Sequence, residues 1–110
     1  MTLNEYQLAA QRTSNTHTLT GKLENGLLGL FGEGGEMADL FKKNQFQGHD
    51  LDFTHMAKEL GDVLWYVAEI ATGLQMTLDE IAQMNIDKLR ARYPDGFDPD
   101  RSLHRSAGDV

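Results

Sequence analysis

Two pairs of carboxylates, Glu33 with Glu36 and Glu59 with Asp62, stand three residues apart in stretches that read as amphipathic helices. Positions three apart on an α-helix are neighbours on one face, so each pair can turn both acids toward one point. Each pair also has a glycine immediately before its second acid, Gly35 and Gly61. Four converging carboxylates repel and raise one another's pKa unless a cation neutralises them. An all-oxygen ligand set suits a hard cation such as Mg²⁺. One such pair means little, because acidic side chains are mostly solvated surface. The conjunction of two, each beside an apolar stripe, carries the hypothesis.

Other candidates are fainter. Asn85, Lys88 and Arg92 form a polar and cationic row running out of an apolar stripe. They suit a phosphate, or else a basic last turn facing the helix dipole, with Asn85 setting helix register. Trp65 and Tyr66 have the faces to stack on a base, although an aromatic on a helix is more often packing or an oligomer contact. His17 and Asn15 sit in a hydroxyl-rich loop, Thr13 to Thr20, where either solvation or ligand contact is ordinary. Glu69 continues the acidic flank without a matched partner and reads as solvated. His49, His55 and His104 show no metal-ligand spacing with the acids. No Ser-His-Asp set, phosphate-binding Gly-x-x-x-x-Gly-Lys loop or cysteine is present, which excludes thiolate sites, disulfides and P-loop chemistry.

The elements that must position these residues are helical. About Leu3 to Arg12 forms a first helix with an imperfect stripe of Leu3, Tyr6, Leu8 and Ala9. A second is expected from Leu23 to about Lys43, with Leu30, Gly34, Met37 and Phe41 in line and Lys42-Lys43 at its end. Glycine within a helix costs about 1 kcal/mol relative to alanine, so Gly34 and Gly35 point to close approach of a backbone or ligand. A third runs from about Phe53 to Thr72, where Met56, Leu60, Val63, Leu64, Val67, Ile70 and Ala71 recur with the helical period. Gly73 closes it, and Thr77-Leu78-Asp79-Glu80 is a capping box opening a fourth. Tyr93-Pro94-Asp95-Gly96 signals a turn, and residues from Phe97 onward read as a partly mobile tail.

The 110 residues suit one domain, expected as a helical unit over 1–97 followed by a tail over 98–110. Apolar residues make up 40% and charged residues 25%, which places the chain among folded rather than disordered proteins. A net charge of −7, from 17 acidic and 10 basic side chains, disfavours nonspecific binding to nucleic acid or an anionic membrane. Met1 to Ala10 is polar, and no stretch is apolar enough to span a bilayer. A cytoplasmic protein is expected.

At the acidic pairs the sequence resembles the MazG-like family of all-α nucleoside triphosphate pyrophosphohydrolases. That family's pattern is Glu-Glu-x-x-Glu, a spacer, then Glu-x-x-Asp. It stands here as Gly32-Glu33-Gly34-Gly35-Glu36 and Glu59-Leu60-Gly61-Asp62. The neighbouring residues Glu36 to Lys43, Gly61 to Tyr66 and Asn85 to Phe97 are similar as well, so the likeness covers about Gly26 to Phe97. One departure is that Gly32 replaces the first glutamate, leaving four acids.

The resemblance implies an all-α four-helix bundle with a short irregular C-terminal tail. It also implies hydrolysis of (deoxy)nucleoside triphosphates to monophosphate and pyrophosphate, as nucleotide-pool house-cleaning. Glu33, Glu36, Glu59 and Asp62 would bind Mg²⁺, with Mn²⁺ able to substitute, and Glu33 or Glu36 would orient the attacking water. Asn85, Lys88 and Arg92, with Lys43 a weaker candidate, would meet phosphates. Asn15, His17, Trp65 and Tyr66 would contact base and sugar. The expected partners are a small-molecule nucleotide and further copies of the chain, as homodimer or homotetramer. The rival from another class is a noncatalytic helical module that binds metal or nucleotide in regulation.

Overall fold

Thr2, Thr18, Asp52, Thr77 and Asp98 each accept a hydrogen bond from a backbone N–H two or three residues ahead, satisfying donors that a first helical turn leaves free. In the computed structural model, which describes all 110 residues, these five caps open α1 (Leu3–Gln11), α2 (Leu19–Gln47), α3 (Phe53–Gly73), α4 (Leu78–Arg92) and the short α5 (Pro99–Leu103). The chain is all-α, with four principal helices. The capping box is present in full: Glu80 N donates to Thr77 Oγ1 at 3.1 Å and Thr77 N to Glu80 Oε2 at 3.0 Å. No helix is long and apolar enough to cross a membrane.

Helix α2 is longer at both ends than the sequence predicts. Thr18 caps it ahead of Leu23, and nothing between Asn44 and Gln47 breaks it after the lysines. It stops at Gly48, whose φ of 72° is the left-handed conformation that ends helices and favours glycine. The tail differs too: it forms α5 and folds back on α4, where Arg92 donates twice to Asp109.

A five-residue connection after α2 sends α3 back along it. Leu23 meets Gly73, Gly26 meets Ile70, and Gly29 meets Tyr66. One partner advances as the other retreats, as an antiparallel pair requires. Close approach is made at Gly26 and Gly29, not at Gly34 and Gly35, around whose Cβ positions the space is open. A methyl at Gly26 would overlap Ile70 Cγ1 and stand 3.2 Å from Ile70 N and 3.3 Å from Tyr66 O. Backbone cannot rotate aside as a side chain can. Gly26→Ala should therefore cost about 1–3 kcal/mol by overpacking, while Gly34→Ala should gain up to about 1 kcal/mol of helix propensity. Urea midpoints of the two variants check the opposite signs.

The small core lies where α1 crosses α3 and α4. Ala10, Ala68, Ala71 and Leu78 are buried there, flanked by Tyr6, Trp65, Val67 and Ile81. Buried Gln7 holds the α3–α4 turn through both ends of its amide: Nε2 donates to Thr72 Oγ1 and Met76 O, and Oε1 accepts from Leu78 N at 2.7 Å. Beyond this junction the chain is open. Its radius of gyration is 17.1 Å, against about 13 Å for a compact chain of this length. Leu28, Phe31, Phe46 and Phe53 are each more than three-quarters exposed, and Leu60 and Phe41, expected in apolar stripes, are at least half exposed.

Candidate metal centre

The antiparallel pairing that sets Gly29 on Tyr66 carries Glu33 of α2 to the level of Glu59 and Asp62 of α3. One carboxylate oxygen from each of the three lies within 4.8 Å of the others. Opposite oxygen ligands of a divalent cation, each at about 2.1–2.5 Å, stand about 4–5 Å apart, so the trio has the span of one ion. Glu33 Oε2 and Glu59 Oε2 are buried without a hydrogen-bond partner. Such oxygens are costly unless something positive faces them. The donor set and its two orphaned oxygens fit a hard cation. The other oxygen of Glu59 meets His55 Nε2 at 3.1 Å, one turn earlier on α3.

Burial above all, then the charge of Glu36 and the approach of Glu59, pushes the Glu33 carboxyl up to about 7. In the metal-free protein the folded state then holds a proton that an unfolded Glu33 would have lost. Stability from this group accordingly falls as pH rises through the interval between ordinary carboxylate values and about 7. A cation must displace that proton. Calorimetry of Mg²⁺ binding near neutral pH, in two buffers of different ionisation enthalpy, should register proton release that Glu33→Gln removes.

Two of the trio, Glu33 and Asp62, line a cleft of about 570 Å³ with Thr13, Asn15, Asn25, Trp65 and Tyr66. Trp65 is fixed by its indole N–H, which donates to Ala10 O at 3.1 Å and Thr13 Oγ1 at 2.9 Å. Tyr66 stands edge-on to it, with ring centroids 5.0 Å apart. Carboxylates at one end and fixed aromatics with two amides at the other suit a ligand having an anionic, cation-bridged part and a flat polar part.

The profile of the MazG nucleotide pyrophosphohydrolase domain matches residues 22–97. The chain belongs to this family. It is also similar to the Gene 37 protein of Mycobacterium phage L5, with 33% identity over 124 residues covering 99% of this chain and 98% of that protein. No solved structure matches.

Within this MazG chain the predicted residues separate into groups. Glu33, Glu59 and Asp62 converge. Glu36 is exposed and faces an adjoining cleft with Asp39, His55 and Glu59. Asn15, Trp65 and Tyr66 line the main cleft, whereas His17 is exposed outside it. Lys43 pairs with Asp39 at 2.7 Å. Asn85 is exposed rather than set in an inner face. Lys88 and Arg92 line a different cavity.

Glu69 corrects the expectation most sharply. It is fully buried, not solvated. Its carboxylate accepts from Gln11 Nε2, Ser14 Oγ, Thr16 Oγ1 and Asn25 Nδ2 at 2.9–3.2 Å, with Lys22 Nζ at 3.5 Å. The hydroxyl-rich loop folds around it. Asn25 thus joins the Glu69 network to the cleft. Asn25 precedes Glu33 by eight residues, about 80° around α2, close enough for both to line one cleft and legible in the sequence. His55, four residues before Glu59, was similarly legible.

Proposed function

We propose that this MazG chain hydrolyses (deoxy)nucleoside triphosphates to monophosphate and pyrophosphate with Mg²⁺, clearing unwanted nucleotides in the cytoplasm. The observation that carries this is the trio of Glu33, Glu59 and Asp62, with its two orphaned oxygens, two of whose members line the aromatic cleft. These three side chains would hold the cation. When bound, it neutralises phosphate charge and lowers the pKa of a water. Glu36, exposed beside Glu33 and outside the trio, would accept a proton from the attacking water. Asn15 and Asn25 would read base or sugar edges, with the ring faces of Trp65 and Tyr66 confining them.

The open shape and the exposed Leu28, Phe31, Phe46 and Phe53 support a homodimer or homotetramer. An apposed copy would also give Asn85 and Lys43, which line no cavity with the trio, a route to the phosphates. Sedimentation should find the assembly, and Phe31→Asp should shift it toward monomer.

The decisive assay incubates the protein with a panel of NTPs and dNTPs, with Mg²⁺ or EDTA, and measures pyrophosphate and monophosphate. Mg²⁺-dependent release of both is expected. Orthophosphate in their place would put cleavage at another bond. Nucleotide binding without product would support the regulatory module instead.

A further inference from the structure

Asn25 is half-buried on α2 and lines the cleft, and its amide is not free to turn. Its Nδ2 donates to Glu69 Oε2 at 3.0 Å. Burial acts to raise the Glu69 carboxyl, but the bonds from Gln11, Asn25 and Ser14 hold it lowered, so it stays ionised. An ionised carboxylate accepts hydrogen bonds and donates none. The Asn25 amide must therefore keep its nitrogen toward Glu69 and turn Oδ1 away. The buried orphaned oxygens belong to Glu33 and Glu59, and Asn25 Oδ1 is not among them. It is open to the cleft as an acceptor.

Thr13 repeats the pattern. Its hydroxyl hydrogen goes to Ala10 O at 3.1 Å, and its oxygen accepts from Trp65 Nε1 at 2.9 Å. The hydrogens of Thr13 and of the Trp65 indole are both engaged within the protein, and Thr13 Oγ1 keeps one lone pair. The exposed Asn15 amide and the Tyr66 hydroxyl can serve either kind of ligand edge. The polar atoms that are fixed at this end of the cleft accept.

We propose that Glu69 is a positioning residue for base selection. By fixing the Asn25 amide, it makes the cleft take a base that carries an exocyclic amino group, adenine or cytosine, over its oxo counterpart, hypoxanthine or uracil. This rests on reading the cleft as a nucleotide site. An amino group meets an acceptor with hydrogens alone. The oxo base sets a carbonyl oxygen at the same point, and two acceptors facing each other leave both unpaired.

Glu69→Gln should reverse the choice. Lys22 Nζ stands 3.5 Å from Glu69 Oε1, and no cation pairs with Oε2. The new amide thus keeps its oxygen beside Lys22 and puts its nitrogen in the place of Oε2, facing Ser14, Thr16 and Asn25. The two hydroxyls can rotate to accept. Asn25 must turn over, presenting Nδ2 to the cleft.

The test follows the fluorescence of Trp65, the only tryptophan and a wall of the cleft, as AMP, IMP, CMP and UMP are titrated with Mg²⁺. A monophosphate has no anhydride to cleave, so occupancy is read without turnover. Wild type should bind AMP over IMP, and CMP over UMP, by at least about tenfold. Glu69→Gln should favour IMP and UMP. Asn25→Ala leaves the carboxylate its other donors and should bind the two members of each pair alike, which carries the test if Glu69→Gln does not melt cooperatively. Equal binding of each pair by wild type overturns the proposal, as does a preference that survives in Asn25→Ala or in folded Glu69→Gln. No response to any monophosphate overturns it together with the nucleotide reading of the cleft. The expected preference without pyrophosphate release from triphosphates would overturn the hydrolytic reading alone.

Discussion

Glu69→Ala should lower the unfolding free energy by about 3–5 kcal/mol, the range for breaking a buried, charge-bearing network from one side. The residue has no exposed surface, and four neutral side chains and Lys22 aim donors at it. Removing the carboxylate strands all of them at once. Lys22, only 15% exposed, would be left without its counter-charge. Glu69→Gln should recover only part of the loss, because its amide presents donors where the site already supplies donors. Burial acts to raise the Glu69 carboxyl, but the bonds from Gln11, Asn25 and Ser14 and the charge of Lys22 together hold it lowered. Its stabilisation is therefore complete above the ordinary carboxylate range and disappears as pH falls through the lowered value. Denaturant midpoints measured from neutral to acid pH should fall steeply for wild type and less for Glu69→Gln. A midpoint for Glu69→Ala within about 1 kcal/mol of wild type would show that the network is not holding the loop.

Glu59→Gln should reduce Mg²⁺-dependent turnover at least about 100-fold, more than the usual effect of altering a ligand's supporting partner. Glu59 has one oxygen committed to His55 and one buried with nothing to accept from. The amide can keep the first contact, but it cannot give a cation the second charge. Loss of fold would not explain such a result. In EDTA the variant lacks one of the repelling acids around Glu33, so its melting temperature should equal or exceed that of wild type. Near-normal turnover would remove Glu59 from the metal set.

These residues also show what a sequence can disclose. The helices of α3 and α4 were legible because apolar periodicity and a capping box are local signals, written within a dozen residues. Glu33, Glu59 and Asp62 were legible because antiparallel pairing brings matched flanks together. Glu36 was not separable from Glu33 in advance, although three residues leave the two about 60° apart around the helix. That angle is enough to half-bury one and expose the other. Glu69 was illegible for another reason. Its partners Gln11, Ser14 and Thr16 lie more than fifty residues away, and no spacing rule connects a helix flank to a distant loop. Gly26 and Gly29 do not stand out from Gly34 and Gly35 in the sequence, because glycine in a helix says that space is wanted without saying by what.

The bare stretch of α2 has a bearing on time as well as on shape. Gly32, Gly34 and Gly35 have nothing packed over them, and glycine gives a helix its weakest local hold. Amide hydrogens there should exchange with solvent sooner than those at Gly26, pressed against Ile70 on the same helix. Glu33 and Glu36 are thus mounted on the most pliable span of a long rod. A cation joining Glu33 to Glu59 and Asp62 would fasten that span to α3. Slowed exchange across residues 32–36 on adding Mg²⁺ would make the ion a clamp on backbone motion, and part of its binding free energy would go into quieting the helix that holds it.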